Sequence, residues 1–257
     1  MLRKLLKYEI KATSRYFLPI YLVLTVFAII NSLFTFNSDT LSVSQGITFT
    51  LYIIILVGMF VVSFVVMIQR FYKNLLSEEG YLMFTLPVDS WRHILSKAIV
   101  SLMWTVLSSI VAIISIIIIA LQEITLFQLF SEFGQLWQEI YRYLGANTYY
   151  LIIQLIVAYI ISIVTGNMLI YVSIALGHLS NNHKILASIG SFLGIYTIGS
   201  FISGAVMTNA VPNYFMNGTP MQYPFEFIWL SIGLSAIFTV VYFIVTNLVL
   251  TKRLNLE

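Results

Sequence analysis

Long runs of apolar residues alternate with shorter polar segments along the whole chain. A helix needs about 20 apolar residues to cross the hydrocarbon core of a bilayer, so runs of this length predict membrane spans. A β-barrel would show alternating segments of about 10 residues, and the run 110–119, in which only Ser115 is polar, does not alternate. The pattern therefore predicts an all-α, polytopic membrane protein with six transmembrane helices, at 17–33, 49–67, 99–121, 150–176, 185–207 and 227–250.

The segment before the first span is basic and amphipathic. Its leucines and lysines separate onto two faces of a helix, and such a helix is expected to lie flat on the inner leaflet. A charge cluster that only stops translocation, with incidental helicity, is the alternative. The residues that define this segment are Leu2, Lys4, Leu5, Leu6, Lys7, Lys11 and Arg15.

The segment 122–146, between the third and fourth spans, is rich in aromatic residues. We expect an external helix on the outer membrane interface, where aromatic side chains are favoured. Such a helix either anchors the protein only or also contacts a substrate. The aromatic residues that recur at helical spacing are Phe130, Phe133, Trp137 and Tyr141, with Glu132 and Glu139 off their face.

Composition agrees with a membrane protein. Hydrophobic residues make up 60% of the 257 residues and charged residues only 9%, against about 25% charged residues in a typical soluble domain. The chain contains no cysteine, which excludes disulfides, thiolate metal sites and cysteine nucleophiles.

The distribution of Lys and Arg predicts the topology. Twelve of the 13 basic residues lie in the first 15 residues, between spans two and three, between spans four and five, or in the C-terminal tail. Only Arg142 lies in the opposite set of loops. Because basic residues favour the cytosolic side, both termini are expected on the cytosolic side of the membrane.

The loop 72–96, between spans two and three, combines exposed apolar residues with acidic ones. Gly80 and Tyr81 predict a break in it, and Pro87 predicts a stop. Apolar residues rimmed by charge indicate a protein contact, and an interfacial helix anchored in lipid is the alternative. The residues concerned are Glu78, Glu79, Leu82, Met83, Phe84 and Leu86.

The string 77–88, followed by 94–97, resembles the first cytosolic loop of type-2 permease subunits of bacterial ABC transporters. The segment 5–12, followed by Arg15 and by 17–19, resembles the N-terminal elbow helix of the same permeases. Within that family the chain is most similar to Gram-positive peptide exporters, such as those of phenol-soluble modulins.

This resemblance implies one transmembrane permease domain over 1–257, with an elbow helix at 1–15. It implies a homodimer that binds two copies of a cytosolic ATPase, which would hold ATP and Mg. The loop 72–96 would then carry the coupling helix that contacts this ATPase. The contacting residues would be Glu78, Glu79, Gly80, Tyr81, Leu82, Phe84, Leu86 and Pro87.

The chain has no Gly-x-x-x-x-Gly-Lys-Ser/Thr phosphate loop, so we do not expect it to be an ATPase itself. The resemblance implies the permease subunit of an ATP-driven exporter of amphipathic peptides, either toxins or antimicrobial peptides. A drug or lipid exporter is the alternative within transport. A membrane scaffold or assembly factor that transports nothing is the alternative outside it.

Other candidate chemistry is sparse. His93, His178 and His183 have no acidic or thiol neighbour in sequence that would complete a metal site, so no metal is expected. The spans lack the intramembrane carboxylates typical of proton- or sodium-coupled carriers. The amides of Gln154 and Asn167 need partners in lipid, so they are expected either in contacts between helices or along a pathway.

Overall fold

The computed structural model describes residues 2–33, 43–76, 89–121, 125–180, 183–215 and 224–252. These residues form seven α-helices and no strand. Six of the helices are long and apolar enough to cross a membrane, which confirms the prediction of an all-α polytopic protein. The helices are α1 (Leu2–Ser32), α2 (Val43–Leu75), α3 (Ser90–Ala120), α4 (Leu126–Leu144), α5 (Asn147–Gly177), α6 (Lys184–Phe215) and α7 (Pro224–Lys252).

Several helices extend beyond the predicted spans. Helix α2 continues eight residues past the predicted end at 67 and includes Arg70 and Lys73. A cation in the last turn of a helix is favourable because the carbonyl ends carry partial negative charge. Helix α3 likewise begins at Ser90, nine residues before its predicted span.

Helix α1 contains both the predicted interfacial segment and the first span. It continues without interruption through Arg15 and Pro19, although proline has no N–H to donate within a helix. One stripe of α1 is buried over almost its entire length, at Glu9, Thr13, Phe17, Leu24, Ala28 and Asn31. These positions recur every three, four or seven residues, which is the periodicity of one helix face.

Residues 6–67 and 103–148 form one compact unit. Its apolar core contains Leu24 and Ala28 of α1, Tyr52 and Met59 of α2, and Ala112 of α3. Since lipid tails are as apolar as these side chains, close packing and hydrogen bonds must hold such helices together.

Hydrogen bonds connect α3 to both other long helices of this unit. Trp104 donates its indole N–H to the Thr13 hydroxyl at 2.7 Å, and its ring stacks on Phe17 with centroids 4.4 Å apart. One turn further along α3, the Ser108 hydroxyl lies 2.8 Å from the Tyr21 hydroxyl. Two turns beyond that, Ser115 lies 2.8 Å from the Tyr52 hydroxyl of α2.

Residues 1–5, 68–102 and 149 onward form the second unit. Helix α5 contacts α7 there through the Thr165 hydroxyl, 2.7 Å from the Thr239 hydroxyl. Helices α6 and α7 come close at Gly199, where an added Cβ would lie 3.3 Å from the Tyr242 hydroxyl. The last three turns of α5 are the most completely buried stretch of this unit, since 170–175 are all buried.

Candidate functional site

All eight predicted ATPase-contacting residues lie between 77 and 88, outside the described residues. The structure describes the two points from which this loop emerges, which we call the loop roots: 71–76 at the end of α2 and 89–94 at the start of α3. Both roots belong to the same compact unit, so their surroundings can be compared directly.

The α2 root packs against the end of α5. Phe71 is fully buried and stacks on Tyr171, with ring centroids 4.1 Å apart and an interplanar angle of 7°. Tyr72 meets His178 edge to face at 5.8 Å. Aromatic pairs in such geometries contribute about 0.5–1.5 kcal/mol beyond the area they bury, and two of them act here on consecutive residues. Leu75 and Leu76 are also buried, so the chain enters the 77–88 loop from a fixed point.

His178 connects this root to the turn between α5 and α6. Its ring forms a hydrogen bond with the backbone of Leu76, the last described residue before the loop. The pKa of His178 lies below its ordinary value, chiefly because the half-buried ring is desolvated and secondly because Lys184 is positively charged. The hydrogen bond to Leu76 acts in the opposite direction. The neutral imidazole is therefore favoured at this contact.

The α3 root begins with a local turn around Asp89. Its backbone carbonyl accepts the Arg92 N–H at 3.0 Å, and its carboxylate lies 3.2 Å from the Arg92 guanidinium. Both side chains are exposed, so this ion pair contributes little to stability. The following turns are buried at His93, Ile94, Ser96, Lys97 and Ala98.

Helix α5 is also bonded to α3. Asn167 is buried and donates its amide N–H to the Ser101 hydroxyl at 2.9 Å. Tyr171 lies one turn further along α5, and His178 follows directly after the end of the helix. Helix α5 thus contacts both helices from which the 77–88 loop emerges.

The turn between α5 and α6 depends on Gly177. An added Cβ at this position would collide with both the side chain and the backbone of Ser188 in α6. Gly177 is itself buried, so only glycine permits this approach without displacement. His178, the first residue after α5, therefore stays close to the α2 root.

Gln154, the second predicted polar position, lies far from the loop roots, near the start of α5. It is fully buried and donates its amide N–H to the backbone carbonyl of Phe225 in α7 at 2.8 Å. Its side-chain carbonyl has no hydrogen-bond partner among the described residues. The nearby Trp229 indole donates to the Tyr150 hydroxyl at 2.5 Å. A role of Gln154 or Asn167 in a pathway stays a prediction.

The predicted elbow residues all lie in the first half of α1. The basic side chains of Lys4, Lys7, Lys11 and Arg15 are exposed. Leu2, Leu5 and Leu6 are partly buried. The basic side chains are thus more exposed than the leucines, and both the elbow role of this segment and its placement on a membrane surface stay predictions.

Comparison of the chain with protein families, with characterised proteins and with solved structures finds no match. The residues that sequence reasoning missed are Phe71, Tyr171 and Gly177, together with the contacts of His178. One signal for them was available, because the end of α5 is apolar on every face. A helix of that kind is usually surrounded by protein or lipid on all sides.

Proposed function

We propose that this chain is the membrane-spanning permease subunit of an ATP-driven ABC exporter that moves amphipathic peptides out of the cell. In this proposal the 77–88 loop contacts a separate cytosolic ATPase, and two copies of the chain pair as a homodimer. The resemblance of 77–88 and of 5–19 to type-2 permeases motivates the proposal. The six apolar helices are compatible with it.

The observation that carries the proposal is the contact of α5 with the loop roots. If an ATPase moves this loop, the movement must be transmitted to the membrane spans. A loosely attached loop would move without displacing the spans. Here Phe71 is stacked on Tyr171, and Leu76 is bonded to His178. Asn167 bonds to α3 on the other side of the loop. A displacement of the loop would therefore move α2, α3 and α5 together.

The absence of charge in the spans supports an amphipathic or apolar cargo. Each of the six helices contains a window of 18 residues with at most two acidic or basic side chains. A charged side chain in the bilayer centre is unfavourable and usually serves ion coupling. Energy supplied by an ATPase in trans explains how such a chain could drive transport without these groups.

The test is co-purification of the tagged full chain with the products of its own operon, followed by ATP turnover in lipid vesicles. We expect a cytosolic ATPase to co-purify and an amphipathic helical peptide to stimulate its turnover. The double variant Leu82→Glu, Phe84→Glu should insert in the membrane and lose the ATPase. The matched control Gln135→Glu, in α4, should retain it.

Each outcome discriminates between the alternatives. An ATPase retained by the double variant would overturn the assignment of 77–88 as the contact. No ATPase in any preparation would favour the membrane scaffold. Turnover stimulated by a lipid or by a small apolar compound, and not by peptide, would favour the other classes of exporter.

A further inference from the structure

Helix α4 is fully amphipathic and no residue of it is buried. At 100° per residue, its apolar side chains occupy one half of the circumference and its polar side chains the other half. The apolar half includes Leu129, Phe130, Phe133, Leu136, Trp137 and Ile140. Phe130 is 71% exposed and Phe133 69% exposed. An exposed apolar face along a helix about 28 Å long is typical of a surface that contacts a protein or a membrane.

Both ends of α4 are closed by their own local hydrogen bonds. Thr125 and Gln128 form a reciprocal capping box at the start, with the Gln128 N–H donated to the Thr125 hydroxyl at 3.3 Å. Gly145, with φ of 58°, ends the helix and donates its N–H to the Tyr141 carbonyl at 2.8 Å. Such caps stabilise a helix independently of tertiary packing. Helix α4 is therefore preformed and needs no partner in the chain to define its ends.

A short connection joins α4 to α5. Only 145 and 146 separate α4 from α5, and two residues reach at most about 10 Å. Near the start of α5, the Tyr150 hydroxyl accepts the indole N–H of Trp229 from α7. Tyr and Trp are enriched where spans leave the hydrocarbon, so this pair indicates that α5 begins at the interfacial level.

We infer that α4 lies parallel to the bilayer and binds its interface through the apolar half of its circumference. The occupant of this face is lipid, because the helix is attached at the interfacial level and carries aromatic side chains suited to it. The polar half carries Glu132, Glu139 and Arg142, a net charge of −1 (two acidic residues and one basic residue). Binding is therefore driven by apolar burial and does not depend on anionic lipid. This inference needs the membrane spans and is independent of any ATPase.

The native chain has no cysteine, so a single introduced cysteine can be labelled without background. We would label Phe133→Cys on the apolar half and Gln135→Cys on the polar half with an environment-sensitive fluorophore. Both side chains are exposed in the isolated chain. The full chain is then reconstituted in vesicles with a nitroxide on the upper acyl chain of the lipid, and separately with iodide in the water.

We expect the nitroxide to quench the probe at 133 several times more strongly than the probe at 135, with iodide showing the reverse order. A helix in this position sits about 5–10 Å deep at the boundary of headgroups and acyl chains. Replacing zwitterionic lipid by anionic lipid should leave the ratio unchanged. Phe130→Cys provides a second apolar position if Phe133→Cys does not fold.

Equal quenching at both positions would overturn the inference. A probe at 133 that is shielded from both quenchers would show that protein covers the face. Shielding that is lost on dilution to monomers in detergent would identify a second copy. Shielding that appears only on addition of an amphipathic peptide would identify a cargo. A quenching ratio that rises with anionic lipid would contradict the role given to the polar half.

Discussion

At the scale of single residues, His178 is a titratable side chain that packs against the α2 root. It contacts Tyr72 by ring packing and Leu76 through a backbone hydrogen bond, with Lys184 as the neighbouring charge. Because its pKa is held below the ordinary value of 6.5, the unfolded chain binds more protons than the folded chain between those two pKa values. The contribution of the neutral ring to stability is thus fully present above pH 6.5 and is lost as the pH falls toward the lower, folded-state pKa.

We therefore expect the thermal unfolding midpoint in detergent to fall between about pH 7.5 and about pH 5.5, where histidine changes charge. His178→Gln, which can still donate to the Leu76 backbone, should reduce this fall. The matched control is the same replacement at the exposed His183, His183→Gln. An identical pH dependence in His178→Gln and the native chain would contradict this account of the contact.

The chemistry of individual residues could be predicted from the sequence, but their partners could not. Asn167 stands out in the sequence because an amide in lipid needs a hydrogen-bond partner. That this partner is Ser101 depends on the rotation of two helices about their axes. Six uniformly apolar spans carry little information about those rotations, since lipid and protein neighbours are equally apolar. For the same reason the stacking of Phe71 on Tyr171 was not predictable.

At the scale of elements, the α5–α6 hairpin depends on the close approach at Gly177. Gly177→Ala should destabilise the protein by about 1–3 kcal/mol, the usual result of overpacking, because the added Cβ meets the Ser188 backbone. Gly166→Ala in the same helix is the matched control, since its Cβ position has nothing within 4 Å. That change should be neutral or stabilising by up to about 1 kcal/mol.

Thermal unfolding of the two variants side by side in detergent measures this difference. Equal midpoints would mean that α6 shifts away from α5 without loss of stability. A loss confined to Gly177→Ala would support the hairpin as a fixed neighbour of the α2 root.

The existence of the helices was easier to predict than their ends. Hydropathy reports the thickness of the lipid, whereas a helix continues for as long as its backbone groups find partners. Helix α2 therefore passes the predicted boundary at 67 and carries Arg70 and Lys73. In α1 the change from basic to apolar residues near Arg15 suggested two segments, but the backbone forms one helix through it. The charge pattern marks the passage from an aqueous to an apolar environment, and it does not mark the end of a helix.

At the scale of the whole molecule, an even number of spans predicts that both termini lie on the same side of the membrane. We predict from the positive-inside rule that this side is the cytosol. We expect a membrane-impermeant maleimide to label Ser131→Cys, in α4, in intact cells. Lys4→Cys and Thr251→Cys should be labelled only after the cells are permeabilised.

The native chain contains no cysteine, so it serves as the background control for each single-cysteine variant. Labelling of Lys4→Cys in intact cells would reverse the topology and would exclude the 77–88 loop as a contact for a cytosolic ATPase. Labelling of only one terminus would contradict the number of spans.

At this scale, composition and charge predicted the class of protein, because both depend directly on whether water or lipid surrounds the chain. The cargo and the partners are not encoded in that way. In our proposal the ATPase contact depends on a few side chains of the 77–88 loop.

The indole of Trp104 has a spectroscopic consequence. It is 6% exposed, whereas Trp91, Trp137 and Trp229 are 36–40% exposed, and it lies about 20 Å along α3 from Ser90. In a variant with Trp91, Trp137 and Trp229 replaced by Phe, Trp104 is the one tryptophan left in the sequence, and a collisional quencher in the water should leave its emission. The residual spectrum would then report, without any label, whether the first and third helices are still in contact at Thr13 and Phe17.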